Sequence, residues 1–276
     1  MEMRYETVHD VTIPKIGYGT GRLGGAMWAN RCRDSHWLAA VRSALEVGYS
    51  HLDTAEMYAL GYSEELIRRA IHETNTKRES LFITTKVWPN HLSYKNVLRA
   101  CEGSLRRLGT DYLDLYLIHW PNLFLPLSET FRALNHLLRE GKVRHVGVSN
   151  FNLARLEEAQ SLCETPLLTN QIPYNLYTRT YVRNGVIAYC QKNDILVTAY
   201  SPVRFGAMRT PKPLKDIADT HHVTPQQVAL AWLVAQPRVI TIPMSFNPKH
   251  QKENLEAAKI ELTKEEMSRL SNVWEK

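Results

Sequence analysis

Eight short apolar runs recur along the chain, each followed by a longer segment with one apolar face. That alternation restricts the fold more than any other feature of the sequence. The runs are Lys15–Tyr18, Ser50–Asp53, Leu81–Lys86, Leu113–His119, Val143–Ser149, Leu168–Ile172, Leu196–Tyr200 and Val239–Pro243. They are short, often β-branched and bounded by turn residues, which predicts strands. Between them, Tyr94–Leu108 sets Val97, Leu98, Cys101, Leu105 and Leu108 on one helical stripe ahead of Gly109. Glu129–Arg139 does the same with Phe131, Leu134, Leu137 and Leu138 ahead of Gly141. Both read as helices that bury one face and stop near a glycine. Asp34 is the expected cap of a helix ending at Val47, with Gly48 as its stop. Thr224-Pro-Gln-Gln227 and Thr263-Lys-Glu-Glu266 are capping boxes. Thr7–Val8 and Val11–Thr12, around His9-Asp10, read as a small hairpin.

Eight such units in 276 residues, with no linker between them, predict an α/β fold: a closed (β/α)8 TIM barrel with a short N-terminal β-hairpin, one domain over residues 1–276. Such barrels reach about 250 residues as a single domain. The rival is an open doubly wound sheet, which places a glycine-rich phosphate turn after its first strand. Gly17–Gly25 is glycine-rich, but no helix opens at its end. No acidic residue follows on a suitable second strand, so the barrel is preferred.

Composition narrows the partners. Lys and Arg number 34 against 28 Asp and Glu, a formal charge of +6 with pI near 9.1. The basic residues are dispersed, with no long run and no stacking motif, so nucleic acid is not an expected partner. Cys32, Cys101, Cys163 and Cys190 are far apart and form no CxxC, which suggests neither a zinc site nor a disulfide framework. Free thiols fit a reducing compartment. The segment MEMRYETVHD lacks the apolar core of a signal peptide, and no run of about 18 apolar residues occurs. A cytoplasmic protein without a membrane anchor is expected.

Active groups of a parallel barrel collect at the carboxyl ends of its strands. Here those ends read Asp53, Lys86, His119, Ser149-Asn150, Gln171, Tyr200-Ser201 and Ser245. Asp53 and Lys86 end adjacent strands and can pair inside the mouth. Tyr58 follows in the loop above Asp53. An ammonium beside a phenol favours the phenolate, so Lys86 is expected to lower the Tyr58 pKa toward that of a usable general acid. His119 can donate a hydrogen bond to a substrate oxygen. A proton donor beside a second donor is half of a carbonyl reduction. The other half is a hydride that no side chain supplies, which implies a nicotinamide cofactor. Each residue also has an ordinary reading: Asp53–Lys86 as a structural ion pair, Tyr58 as a loop aromatic, His119 as a packed core histidine. A metal-dependent barrel hydrolase would need an HxH at a strand end or a carboxylate cluster, and neither occurs.

At these positions the sequence resembles the aldo-keto reductase family. The matching stretches are GYSHLDTAEMY (48–58), TTKVWPN (84–90), DLYLIHWP (114–121), VRHVGVSNF (143–151), TNQIPYN (169–175), TAYSP (198–202) and IPMS (242–245). They keep the family's order and span nearly the whole chain. The resemblance implies a catalytic tetrad of Asp53, Tyr58, Lys86 and His119, and NAD(P)H bound in an extended form. It places Ser149, Asn150 and Gln171 on the carboxamide and Tyr200 under the nicotinamide ring. Ser201 and Val203 then lie along the pyrophosphate, and Ser245, Glu253 and Asn254 at the adenosine end. Thr20, Gly21 and Asp53 are also implied on the cofactor. A helix starting near Pro248, capped by Asn247, would aim its amino end at the adenosine phosphate.

Three departures from the family pattern matter. Met244 stands where relatives often carry the lysine of IPKS, and His250 where a second basic contact, usually arginine, lies. Histidine lacks the bidentate fork of arginine. NADH use or dual specificity is therefore expected over strict NADPH, with Arg204 and Lys249 close enough in sequence to compensate. Gly21 replaces a frequent pocket tryptophan, and Trp28 in the same loop is a candidate substitute. The sequence stops soon after the last helix, which leaves an open mouth lined by Trp88, Trp120 and Phe124. The expectation is a monomeric reductase of small aldehydes or ketones. The alternative is a cofactor-binding regulatory module with little turnover.

Overall fold

The computed structural model describes residues 4–203 and 210–273. β1 (Tyr5–Val8) and β2 (Val11–Pro14) form the expected antiparallel hairpin about His9-Asp10. Its apolar face, Val8, Val11 and Ile13, packs with Leu115, Leu117, Leu168, Leu196 and Ile240 from inside the barrel. The hairpin therefore plugs the end where the strands begin.

The barrel strands are β3 (Tyr18–Gly19), β4 (His51–Asp53), β5 (Phe82–Val87), β6 (Leu113–Ile118), β7 (Val143–Ser149), β8 (Thr169–Pro173), β9 (Leu196–Tyr200) and β10 (Val239–Thr241). Each pairs in parallel with the next in chain order. A parallel bridge between Ile16 and Thr241 joins last to first and closes the ring. Closure needs close backbone approach: a Cβ on Gly19 would stand 2.5 Å from the Ile242 carbonyl oxygen. The regular part of the first strand is Tyr18–Gly19 rather than the expected Lys15–Tyr18, with Ile16 joining the sheet only through its bridge to Thr241.

The helices are α1 (Asp34–Val47), α2 (Tyr62–Glu73), α3 (Tyr94–Leu108), α4 (Leu127–Arg139), α5 (Leu153–Leu162), α6 (Thr180–Arg183), α7 (Val186–Lys192), α8 (Lys212–Thr220), α9 (Pro225–Val234), α10 (Pro248–Glu256) and α11 (Lys264–Ser271). In α3 the stripe Val97, Cys101, Leu105 and Leu108 is buried, and Gly109 ends the helix in the left-handed region at φ 66°. Both capping boxes form, Thr224 with Gln227 and Thr263 with Glu266. Asp34 does not cap α1. It is the first helical residue, and its carboxylate instead takes the Tyr62 hydroxyl and Arg69 at 2.7 Å. Among the described residues no helix is long and apolar enough to cross a membrane.

Candidate active site

Asp53 ends β4, Lys86 lies one residue from the end of β5, and His119 follows β6 directly. Three adjacent strands thus deliver three chemically active groups to one end of the barrel. Lys86 is fully buried, and its Nζ donates to Asp53 Oδ1 at 2.6 Å and to the Thr54 carbonyl at 2.7 Å. Gln171 Nε2 donates to the other Asp53 oxygen at 2.8 Å. Burial works against the ammonium, but Asp53 and then Tyr58 outweigh it, and the Lys86 pKa lies above its ordinary value. Lys86 is therefore charged throughout the neutral range.

The Lys86 ammonium stands 5.2 Å from the centre of the Tyr58 ring. That ring meets His119 edge-on, with centroids 5.7 Å apart and planes at 82°. The expected lowering of the Tyr58 pKa is not what the structure gives. Burial raises it above its ordinary value, and Lys86 recovers only part of that rise. The phenol is protonated at rest. Burial, helped by the Lys86 charge, pushes His119 down to about 3, so its imidazole is neutral. Its Nδ1 is buried without a partner. A neutral imidazole donates from one nitrogen and accepts at the other.

Asp53, Tyr58 and His119 face a cleft of about 750 Å³, within the range of small-molecule and cofactor sites. Of the expected residues, Thr20 and Gly21 line one side, with Asp53, Tyr58 and His119 at the base. Ser149, Asn150, Gln171 and Tyr200 form the opposite wall, and Ser201, Val203, Met244 and Ser245 continue it. That wall is held by its own hydrogen bonds. Ser149 Oγ donates to the Gln171 carbonyl at 2.9 Å, and Asn150 Nδ2 to Ser149 Oγ at 2.8 Å and to the His119 carbonyl at 3.1 Å. Tyr200 donates to Asn150 Oδ1 at 2.9 Å. Asn150 and Ser201 take left-handed φ values of 64° and 51°. Asparagine tolerates that region better than most residues.

A second hollow of about 210 Å³ shares Val203, Met244 and Ser245 with the cleft and adds His250, Glu253 and Asn254. Asn247 caps α10 there, accepting from the Lys249 amide at 2.9 Å. Sequence reasoning missed Thr224 and Gln226, which also line this hollow. They sit in a motif that reads as a helix start and nothing more. It also missed Arg22, the one Lys or Arg on the cleft wall among the described residues. Its place just past the end of the first strand was the available signal. Lys86 lies behind the wall rather than on it. Trp120 lines the cleft, but Trp28, Trp88 and Phe124 do not. Trp28 is 72% exposed, Phe124 is 94% exposed, and Trp88 packs near the His91 ring at 6.0 Å. Lys249 faces solvent and Glu253 at 3.8 Å, and Arg204 lies outside the described residues. No group of three or more potential metal ligands occurs among the described residues.

The sequence model described as "Aldo/keto reductase family" matches residues 15–275. Methylglyoxal reductase YeaE of Escherichia coli (strain K12) is 34% identical over 272 residues, covering 96% of this chain and 92% of the relative. The thermostable aldo-keto reductase Tm1743, solved with the inhibitor epalrestat, superposes with a TM-score of 0.94 at 42% identity, covering 98% of this chain and all of that one. An aldo-keto reductase from Klebsiella pneumoniae, solved with NADPH, gives a TM-score of 0.87 at 33% identity over 99% of this chain and 96% of that one.

Proposed function

The chain belongs to the aldo/keto reductase family of oxidoreductases, and on that premise we propose that it reduces small aldehydes or ketones to alcohols, with NAD(P)H as reductant and Tyr58 as proton donor. The observation that carries this reading is the buried Asp53–Lys86 pair set against the Tyr58 ring, beside a neutral His119, at the base of an open cleft. A protonated phenol can give up a proton, and the fixed ammonium stabilises the phenolate left behind. His119 offers a neutral donor to the same carbonyl oxygen and orients it. Asp53, satisfied on both oxygens, keeps Lys86 charged and in place.

The two joined hollows fit an extended dinucleotide. Ser149, Asn150 and Gln171 would hold the carboxamide, and Tyr200 would carry the nicotinamide face. Thr20, Gly21, Ser201 and Val203 would flank the phosphates, with Arg22 as their counter-charge. Ser245, Glu253 and Asn254 would take the adenosine. When bound, the nicotinamide supplies the hydride. Along the second hollow, Met244 carries no charge, His250 lacks the bidentate fork of arginine, Glu253 adds a carboxylate, and no Lys or Arg lines it among the described residues. This supports NADH or dual use over strict NADPH. The four cysteines, all free, fit a reducing, cytoplasmic setting, and we take the chain as a monomeric, single-domain barrel.

The test is titration with NADH and NADPH by tryptophan quenching, then turnover on small carbonyls by wild type and Tyr58→Phe. The variant keeps the ring and loses the donor, so kcat should fall roughly 10²-fold or more. Unchanged turnover, or binding of neither cofactor, would sink the reading. NADPH binding about tenfold tighter than NADH, about 1.4 kcal/mol, would overturn the cofactor preference.

A further inference from the structure

Directly after Tyr58 the backbone passes through three successive left-handed residues. Ala59 has φ 48° and ψ 37°, Leu60 has φ 55° and ψ 44°, and Gly61 has φ 85°. Glycine takes this region freely, whereas alanine and leucine enter it against a steric penalty. Most other non-glycine residues with positive φ among those described are His, Asn or Asp, which tolerate it better. Leu60 gains little burial in exchange, being 44% exposed. Strain of this kind persists only where the surroundings over-determine it.

The surroundings do so here. A Cβ on Gly61 would lie 2.4 Å from Arg107 Nε, so the turn is pressed beneath that side chain. Arg107 Nε donates to the buried Glu64 at 2.6 Å, and Thr85 Oγ1 donates to the other Glu64 oxygen at 2.7 Å. Thr85 is the residue before Lys86. Ser63 Oγ donates to Thr20 Oγ1 at 3.0 Å and accepts from Thr54 Oγ1 at 3.1 Å. The first turn of α2 is thus fastened to the ends of the strands that carry Asp53 and Lys86. Only the left-handed turn separates that fastening from Tyr58.

We infer that Ala59–Gly61 is a positioning turn, in which backbone strain at Ala59 and Leu60 is accepted so that the Tyr58 ring is held between Lys86 and His119. The inference rests on Tyr58 being the proton donor. The test uses the full chain with Leu60→Gly, which frees the backbone, and Leu60→Asn, which suits the left-handed region without the looseness of glycine. Melting temperature, NADH affinity, kcat and KM are measured beside Tyr58→Phe. Leu60→Gly should melt no lower than wild type and lose about tenfold in kcat, with KM and NADH affinity within about twofold. Leu60→Asn should keep kcat. Full kcat in Leu60→Gly overturns the positioning role. A melting point several degrees lower overturns the strain. Loss of kcat in both variants traces the effect to the leucine side chain and also overturns the inference. Undiminished turnover in Tyr58→Phe brings down the functional reading itself, a result separate from any of these.

Discussion

Replacing Lys86 with methionine keeps most of the length of the side chain and removes its charge. The Lys86 side chain is 0% exposed and that of Asp53 is 2% exposed, so solvent does not screen the pair. The variant leaves a buried carboxylate whose remaining partner is Gln171 at 2.8 Å on one oxygen only. Breaking a buried pair by removing one member costs about 3–5 kcal/mol, because the other charge stays buried. In a protein of this size about 2–4 °C of melting temperature accompanies each kcal/mol, which gives a fall of roughly 6–20 °C. The assay is thermal unfolding of Lys86→Met, Asp53→Asn and the double variant. The two groups touch, so the double variant should recover about 1–3 kcal/mol against the sum of the singles. Tyr58 also loses the charge that opposes its burial, so kcat should fall with stability. A Lys86→Met protein melting within about 2 °C of wild type, or strict additivity in the cycle, would refute the claim that this pair is electrostatically isolated.

Two further outcomes follow from the same site. The proposed role of Tyr58 requires the protonated phenol, and burial holds its pKa above the ordinary value, so kcat should be lost only as pH rises through that elevated pKa. His119 titrates at about 3, so no step should appear near its ordinary value of 6.5. A profile of kcat from about pH 5 to 11 checks both, and a clear limb near 6.5 would show that His119 is not neutral. At the second hollow, Met244→Lys with His250→Arg should raise NADPH affinity relative to NADH by roughly 10- to 100-fold. That takes about 1.5–3 kcal/mol for each hydrogen bond to a charged group and discounts it for exposure. An unchanged ratio of dissociation constants would mean that the 2′-phosphate does not reach this hollow.

The barrel was legible because its strands are buried on both faces and so appear as apolar runs rather than as alternating patterns. Strand ends were legible for the same reason: a polar residue closing an apolar run marks the mouth, which located Asp53, Lys86, His119 and Gln171. Aromatic type carries no such directional information. Trp28, Trp88 and Phe124 share their composition with Trp120 but not its aim, because loop backbone sets where a ring points. The left-handed turn was hidden for a different reason. Ala59 and Leu60 argue locally against φ > 0, and the contacts that fasten the turn and the start of α2 come from Arg107, Thr85 and Thr20, distant in sequence.

The Tyr58 pKa shows where sequence reasoning must stop. Neighbours can be named from strand order, and Lys86 does stand beside the Tyr58 ring. The depth of the site cannot be named that way, and depth decides the sign. Desolvation outweighs the ammonium at rest, which leaves the phenol protonated and therefore able to donate. The same ammonium, held by Asp53 and unable to relax into water, acts most strongly on the charge that appears when the proton leaves. A shallower site would leave the phenol more acidic and the ammonium more screened. A proton donor of this kind therefore needs both the burial that raises its pKa and the fixed cation that opposes it.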